Sequence, residues 1–230
     1  MKKGSKLLSC LVSVLTALFL LSSAVALPIL WRGFYYSQIG PLNLVEETGF
    51  SEETIRGAFD QVMDYLVLDG EFGTGDLRWS EEGMAHFADC RDLFRLNFAI
   101  LTVTGILLLL LALFFLFFPD FRAKLAFPPV KGALIFLILV FLALGVWAFV
   151  DFDSLFVVFH KLFFPGKENW VFDYRADQII LILPEAFWAR AAALVAGLAL
   201  ALGALLRILE ALLVKKKFRA VYDALRRQSR

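Results

Sequence analysis

The sequence predicts an all-α membrane bundle: four transmembrane helices carrying an extracytoplasmic cap of helices and short β-strands. Three observations predict it. The chain of 230 residues is 60% hydrophobic and holds 25 Phe, more apolar surface than a water-soluble domain of this size can bury without large exposed patches. Four long runs, 7–30, 98–118, 132–150 and 187–214, carry almost no charge, and about 20 apolar helical residues cross a ~30 Å hydrocarbon core. The basic residues are also segregated. Segments 1–6, 119–131 and 215–230 hold 13 Lys and Arg against Asp120 and Asp223, whereas 31–97 and 151–187 hold eight basic and 19 acidic residues. Basic connections stay in the cytoplasm, so both termini are expected inside the plasma membrane and the two acidic segments outside. Trp31, Trp147, Trp170 and Trp188 fall near the outer helix ends, where interfacial tryptophans sit.

The first span follows Lys2, Lys3 and Lys6 and contains Ala24-Val25-Ala26, which resembles a signal-peptide cleavage site. Its apolar run is long for a cleaved leader and Pro28 follows closely, so a retained helix is the reading. Leu7-Leu8-Ser9-Cys10 mimics a lipidation box but lacks an apolar region before it. Residues 31–97 form the first part of the cap. Ser51 is a good N-cap with Glu52 and Glu53 in the first turn, and Ile55, Phe59, Val62, Met63 and Leu66 recur at helical spacing until Gly70. Ser80, followed by Glu81 and Glu82, starts a second helix that nothing interrupts after Gly83, so it is expected to continue into the second span.

The second part of the cap, 151–186, is unusually apolar for a connection. Residues 156–164 surround His160 with aromatic and branched side chains, and 179–183 are β-rich, so short strands over the bundle's outer mouth are expected. Pro184 and Glu185 suit the first turn of the fourth helix. There Arg190 and Arg207 lie near the ends, within snorkelling reach of the headgroups. Ala193, Gly197 and Ala201 make a small-residue stripe that fits either close packing or lipid contact. There are no repeats or low-complexity linkers. Residues 1–230 read as a single integral membrane domain.

Histidine suits proton transfer near neutral pH because its unperturbed pKa is ~6.5. The chain has two, His86 and His160, and both fall in the outer segments. If the segment is helical, Asp89 shares a face with His86, while Asp151, Asp153, Asp173 and Asp177 are candidates to orient His160. The spacing leaves these pairings open, and each aspartate reads equally as a solvated carboxylate or a helix cap. The sequence lacks a Gly-Xaa-Ser-Xaa-Gly elbow, a Walker loop, a His-Glu-Xaa-Xaa-His pair and a CxxC pair. A metal held by both histidines and nearby acids has no recognised ligand spacing, and no central membrane charge marks an ion path. The basic residues from Lys215 to Arg230 read as an inside-facing anchor on membrane lipid rather than a nucleic-acid site. Cys10 and Cys90 fall on opposite sides of the bilayer and form no disulfide framework.

The residues around the histidines carry a family resemblance. Asp151, Asp153, Phe156, Phe159, His160 and Phe164, then Asn169, Trp170, Phe172, Asp173 and Asp177, then Pro184, Glu185, Phe187 and Trp188, together with Met84-Ala85-His86 and Asp89, resemble the lipoprotein intramolecular transacylases of Gram-positive bacteria. The resemblance extends over nearly the whole chain. It implies an acyltransferase acting on the diacylglyceryl-cysteine at a lipoprotein's N-terminus. The sn-2 acyl chain would move to the cysteine α-amino group, leaving an N-acylated lyso-form, with His86 and His160 as the catalytic pair. Donor and acceptor lie on one substrate, so no cofactor or external acyl donor is needed. Two readings stand beside this one: a metal-dependent membrane hydrolase using the same histidines, and a non-enzymatic protein whose cap grips a lipoprotein.

Overall fold

The structure, a computed structural model, describes residues 5–122 and 124–228, with the side chains of 119, 122 and 213–228 left out. Helix α1 (Lys6–Leu30) starts at Ser5, whose hydroxyl accepts the Leu8 amide at 3.2 Å. It packs against three other long helices, α5 (below), α7 and α9, and is the most enclosed of the four apolar helices. Its buried polar residues do not break the bundle, because Ser13 and Thr16 donate to their own preceding turn, to the carbonyls of Ser9 and Val12, each at 2.7 Å. Ser9 Oγ also accepts the Ala126 amide at 2.8 Å, tying the segment 124–128 to α1.

Outside the apolar region the chain turns through α2 (Gly33–Ile39), α3 (Leu44–Thr48) and α4 (Glu52–Val67). Ser51 caps α4 by accepting the Thr54 amide at 3.1 Å, and Ile55, Phe59, Val62, Met63 and Leu66 are buried. That is the apolar face the spacing predicts. Helix α4 packs on α5 and on a 3-10 turn described below. Tyr35 of α2 lies on Phe59 with centroids 3.8 Å apart and donates through its hydroxyl to the Ile182 carbonyl at 2.9 Å, so both cap segments share one core. Arg32 joins α4 to the end of α1 through ion pairs with Asp60 (3.0 Å) and Asp64.

Helix α5 (Glu81–Phe117) begins at Ser80 and runs unbroken for 37 residues, about 55 Å at 1.5 Å per residue. It is cap helix and membrane helix in one, as the absence of a breaker after Gly83 predicts. After α6 (Pro119–Arg122), α7 (Pro129–Val150) returns, and α8 (Phe152–Phe163) leads through a long turn to α9 (Glu185–Gln228). The long helices pack through small residues. Ala17, Ala24, Ala133 and Ala199 are buried together with Leu20 and Leu137, and a side chain at Gly203 would meet Leu134 Cγ at 3.1 Å and Leu20 Cδ1 at 3.3 Å. The packed stripe of α9 is thus Ala199 and Gly203, while Ala193, Gly197 and Ala201 face outward.

The short strands expected in the cap are absent among the described residues. Where they were expected the chain forms α8 and a 3-10 turn, Gln178–Ile182. Asp151 starts α8 by accepting the Ser154 amide at 2.9 Å, and the aromatic residues then fall along a helical face. Residues 179–183 are β-rich but lie between Asp177 and Pro184, with no partner strand in reach. Burial of Ile179 and Ile182 in the cap core, with the Tyr35 hydroxyl on the Ile182 carbonyl, selects a tight turn instead. The basic residues Lys2 and Lys3 and those from Lys215 to Arg230 lie outside the residues whose side chains are described.

Candidate functional site

His86 comes from the second turn of α5 and His160 from the last turn of α8, and the fold sets their rings side by side, centroids 5.8 Å apart. They are 6% and 8% exposed. Aromatic rings close around them: Phe164 and Phe172 lie 5.0 and 5.4 Å from His86, and Phe156 and Trp170 lie 4.0 and 4.7 Å from His160, Trp170 stacked on the imidazole. Such an enclosure removes water, which disfavours charge on either ring.

The ring nitrogens are not equivalent. Nδ1 of His160 lies 2.8 Å from the Phe156 carbonyl oxygen. A carbonyl only accepts, so Nδ1 carries the proton and the neutral ring keeps its lone pair on Nε2. On His86, Nε2 contacts Cys90 Sγ at 3.5 Å, while Nδ1 is buried without a partner among the described residues. Burial is the main cause that pushes His86 down to about 4; the charges of His160 and Lys167 act the same way and Asp89 opposes them. Burial also lowers His160, against the Phe156 hydrogen bond. Both imidazoles are neutral at neutral pH.

The aspartates take other duties. Asp89 does not hydrogen-bond His86. Burial raises its pKa, but this is outweighed by the ion pair with Lys167 and by Asn169 Nδ2, which donates at 3.1 Å, so the carboxyl sits below the usual range. Asp89 therefore fastens the chain after α8 onto α5, beside His86. Asp177 is 4% exposed and accepts from the Ser80 amide and hydroxyl, each at 2.8 Å. The same hydroxyl accepts the Gly83 amide at 3.0 Å, and a side chain at Gly83 would collide with the Asp177 carboxylate. Asp177 thus anchors the start of the helix that carries His86. Asp151 caps α8, and Asp173 accepts the Arg175 amide at 2.9 Å in its own turn. Asp153 lines a small hollow with Phe156, Leu183 and Trp188. Among the described residues no three His, Cys, Asp or Glu side chains converge as a metal-ligand set.

The chain matches the family model described as lipoprotein intramolecular transacylase Lit over residues 10–188, more than three quarters of its length. It belongs to that family. Its fold is similar to the membrane-integral lipoprotein intramolecular transacylase Lit of Bacillus cereus, with a TM-score of 0.82 and 27% identity, covering 93% of this chain and 97% of that one. Two variants of the Bacillus cereus transacylase with a histidine replaced, by arginine or by alanine, give TM-scores of 0.79 and 0.77 at the same identity and 93% of this chain, with 93% and 94% of theirs covered. No curated protein matches the chain. As a lipoprotein intramolecular transacylase it is a membrane-integral acyltransferase.

Within this transacylase fold, the structure adds contacts that sequence reasoning missed. Cys90 is one helical turn from His86, a spacing visible once α5 is read as continuous. Lys167 pairs with Asp89 across 78 residues, and nothing local signals that contact.

Proposed function

We propose that His86 and His160 carry out the acyl transfer, moving the sn-2 acyl chain of a diacylglyceryl-cysteine to that cysteine's own α-amino group. The observation that carries this reading is the pair of buried, neutral imidazoles 5.8 Å apart in an aromatic enclosure. The amine attacks the ester carbonyl, forming the amide C–N bond and breaking the ester C–O bond. Nε2 of His160 accepts the amine proton, and the departing glyceryl oxygen takes a proton back. His86 faces the carbonyl oxygen, where negative charge develops. Nucleophile and ester belong to one molecule, so holding them together supplies much of the acceleration. The dry enclosure disfavours water as the competing nucleophile.

In this reading residues 1–230 are one domain, with spans 7–30, 98–118, 132–150 and 187–214 and a cap of 31–97 and 151–186. The termini are cytoplasmic, and the site opens at the outer leaflet of the plasma membrane, where membrane lipid and lipoprotein meet. The segregation of 13 basic residues to one set of connections supports this orientation.

Expression in a host that makes only diacyl lipoproteins tests the reaction. Mass spectrometry of lipoprotein N-termini should show N-acylated lyso-form peptides, and His86→Ala or His160→Ala should reduce conversion by about 10²–10⁴-fold. Unchanged diacyl peptides with the protein present in the membrane would refute the proposal.

A further inference from the structure

We infer that Cys90 is a positioning residue for this reaction: its thiol hydrogen-bonds Nε2 of His86 and thereby keeps the imidazole proton on Nδ1, facing the substrate. The inference rests on the transacylase reading above and deepens it, because it says how His86 comes to present a donor. Two independent observations carry it. Cys90 follows His86 by one turn of unbroken α5, and Sγ lies 3.5 Å from Nε2. The other nitrogen, Nδ1, has no protein partner among the described residues, although His86 is only 6% exposed. A buried polar atom left unpaired costs about 1–3 kcal/mol, so a partner supplied by substrate is the natural explanation.

The inferred direction of the hydrogen bond, from S–H to Nε2, agrees with the thiol's surroundings. Burial, and then the neighbouring carboxylate of Asp89, push Cys90 up to about 12. The sulfur therefore keeps a proton that it can donate to Nε2 at 3.5 Å, and it is no nucleophile at neutral pH. Burial, with His160 and Lys167 acting against a second proton and Asp89 for it, leaves His86 neutral. A neutral imidazole has one N–H and one lone pair. With the S–H directed at the Nε2 lone pair, the N–H must sit on Nδ1. His160 is set the opposite way by Phe156, its lone pair on Nε2. The two rings then complement each other, one offering a base and the other a hydrogen-bond donor to the developing oxyanion. Removing the thiol frees Nε2 of His86, and the ring reverts to the Nε2–H form that predominates in water. A lone pair then faces the oxyanion.

Nitrogen-15 imidazole spectra of the full-length protein in detergent test this at neutral pH. The two histidines are assigned through His160→Gln. Wild type should show His86 as the Nδ1–H tautomer, and Cys90→Ala should move it to Nε2–H. With a lipoprotein substrate, Cys90→Ala should lower kcat by about 10²–10³-fold with KM changed by less than about threefold. Cys90→Ser retains a donor and should recover the Nδ1–H tautomer and most of kcat. An Nε2–H ring in wild type overturns the inference. So does an unchanged kcat in Cys90→Ala, or an acyl adduct on Cys90 after acid quench, which would make the thiol a nucleophile. The tautomer spectra need no turnover, so a protein without lyso-form product defeats the functional reading while the spectra still decide the role of Cys90.

Discussion

His86 and His160 share one apolar enclosure, and burial acts on both rings in the same direction. Their two surroundings differ in detail, since Lys167 and the second imidazole disfavour a proton on His86 while His160 has the Phe156 carbonyl. Both therefore remain neutral where a free histidine would be protonating. Titration followed by imidazole NMR should give His86 at about 4 and His160 below ~6.5. The sign for stability follows. Below ~6.5 the unfolded chain takes up protons that the folded chain refuses, so folding stability is full above that pH and falls as pH drops toward the folded values. Denaturation midpoints should accordingly decline from pH 7 to pH 5, and less so in His86→Phe. A His86 titrating at or above 6.5 would refute the burial argument. The sequence named both histidines, because they are the chain's only two and both lie in outer segments. It could not separate their ring nitrogens, which depend on the Phe156 carbonyl and the Cys90 thiol, contacts that exist only once α8 and α5 are helical.

Helix α5 was legible because its signals are local: Ser80 as cap, two glutamates in the first turn and no breaker after Gly83. Helix α4 was legible for the same reason. Helix α8 was not, since aromatic and branched residues fit a strand pattern as readily as a helical one, and the cap that decides the matter is the single pair Asp151 and Ser154. Asp177 depends on a contact of longer range. The sequence makes it a candidate partner for His160, and in the structure its carboxylate joins Ser80, 97 residues away. Local pattern carries no information on such a contact. The structure makes a specific demand of it: Asp177→Ala leaves the half-buried Ser80 amide without its acceptor, at a cost of about 1 kcal/mol. Thermal unfolding should register this as a lower midpoint, and Ser80→Ala combined with Asp177→Ala should lose less than the sum of the two single changes. Full additivity would mean that the two residues do not act as a unit.

The bundle is organised around α1, which touches all three other long helices and holds most of the small and hydroxyl residues of the packed interior. This is the physical support for reading it as a retained helix: cleavage after Ala26 would remove the element on which α5, α7 and α9 pack. The same arrangement bears on how we propose the molecule sits in a bilayer. Helix α5 carries the cap at one end and reaches α6 at the other, so in the proposed topology α4 and the α6–α7 connection lie on opposite faces of the membrane. Charge segregation assigns the α6–α7 side to the cytoplasm. Two exposed positions test that assignment, Glu53 on α4 and Lys124 in the α6–α7 connection. In a Cys10→Ser background, Glu53→Cys should react with a membrane-impermeant maleimide in intact cells. Lys124→Cys should react only after the membrane is opened. Half-buried Cys90, its thiol pushed up to about 12, should stay silent in both. Labelling in the reverse order would turn the molecule over, moving the histidine pair to the cytoplasmic leaflet and away from any lipoprotein displayed outside.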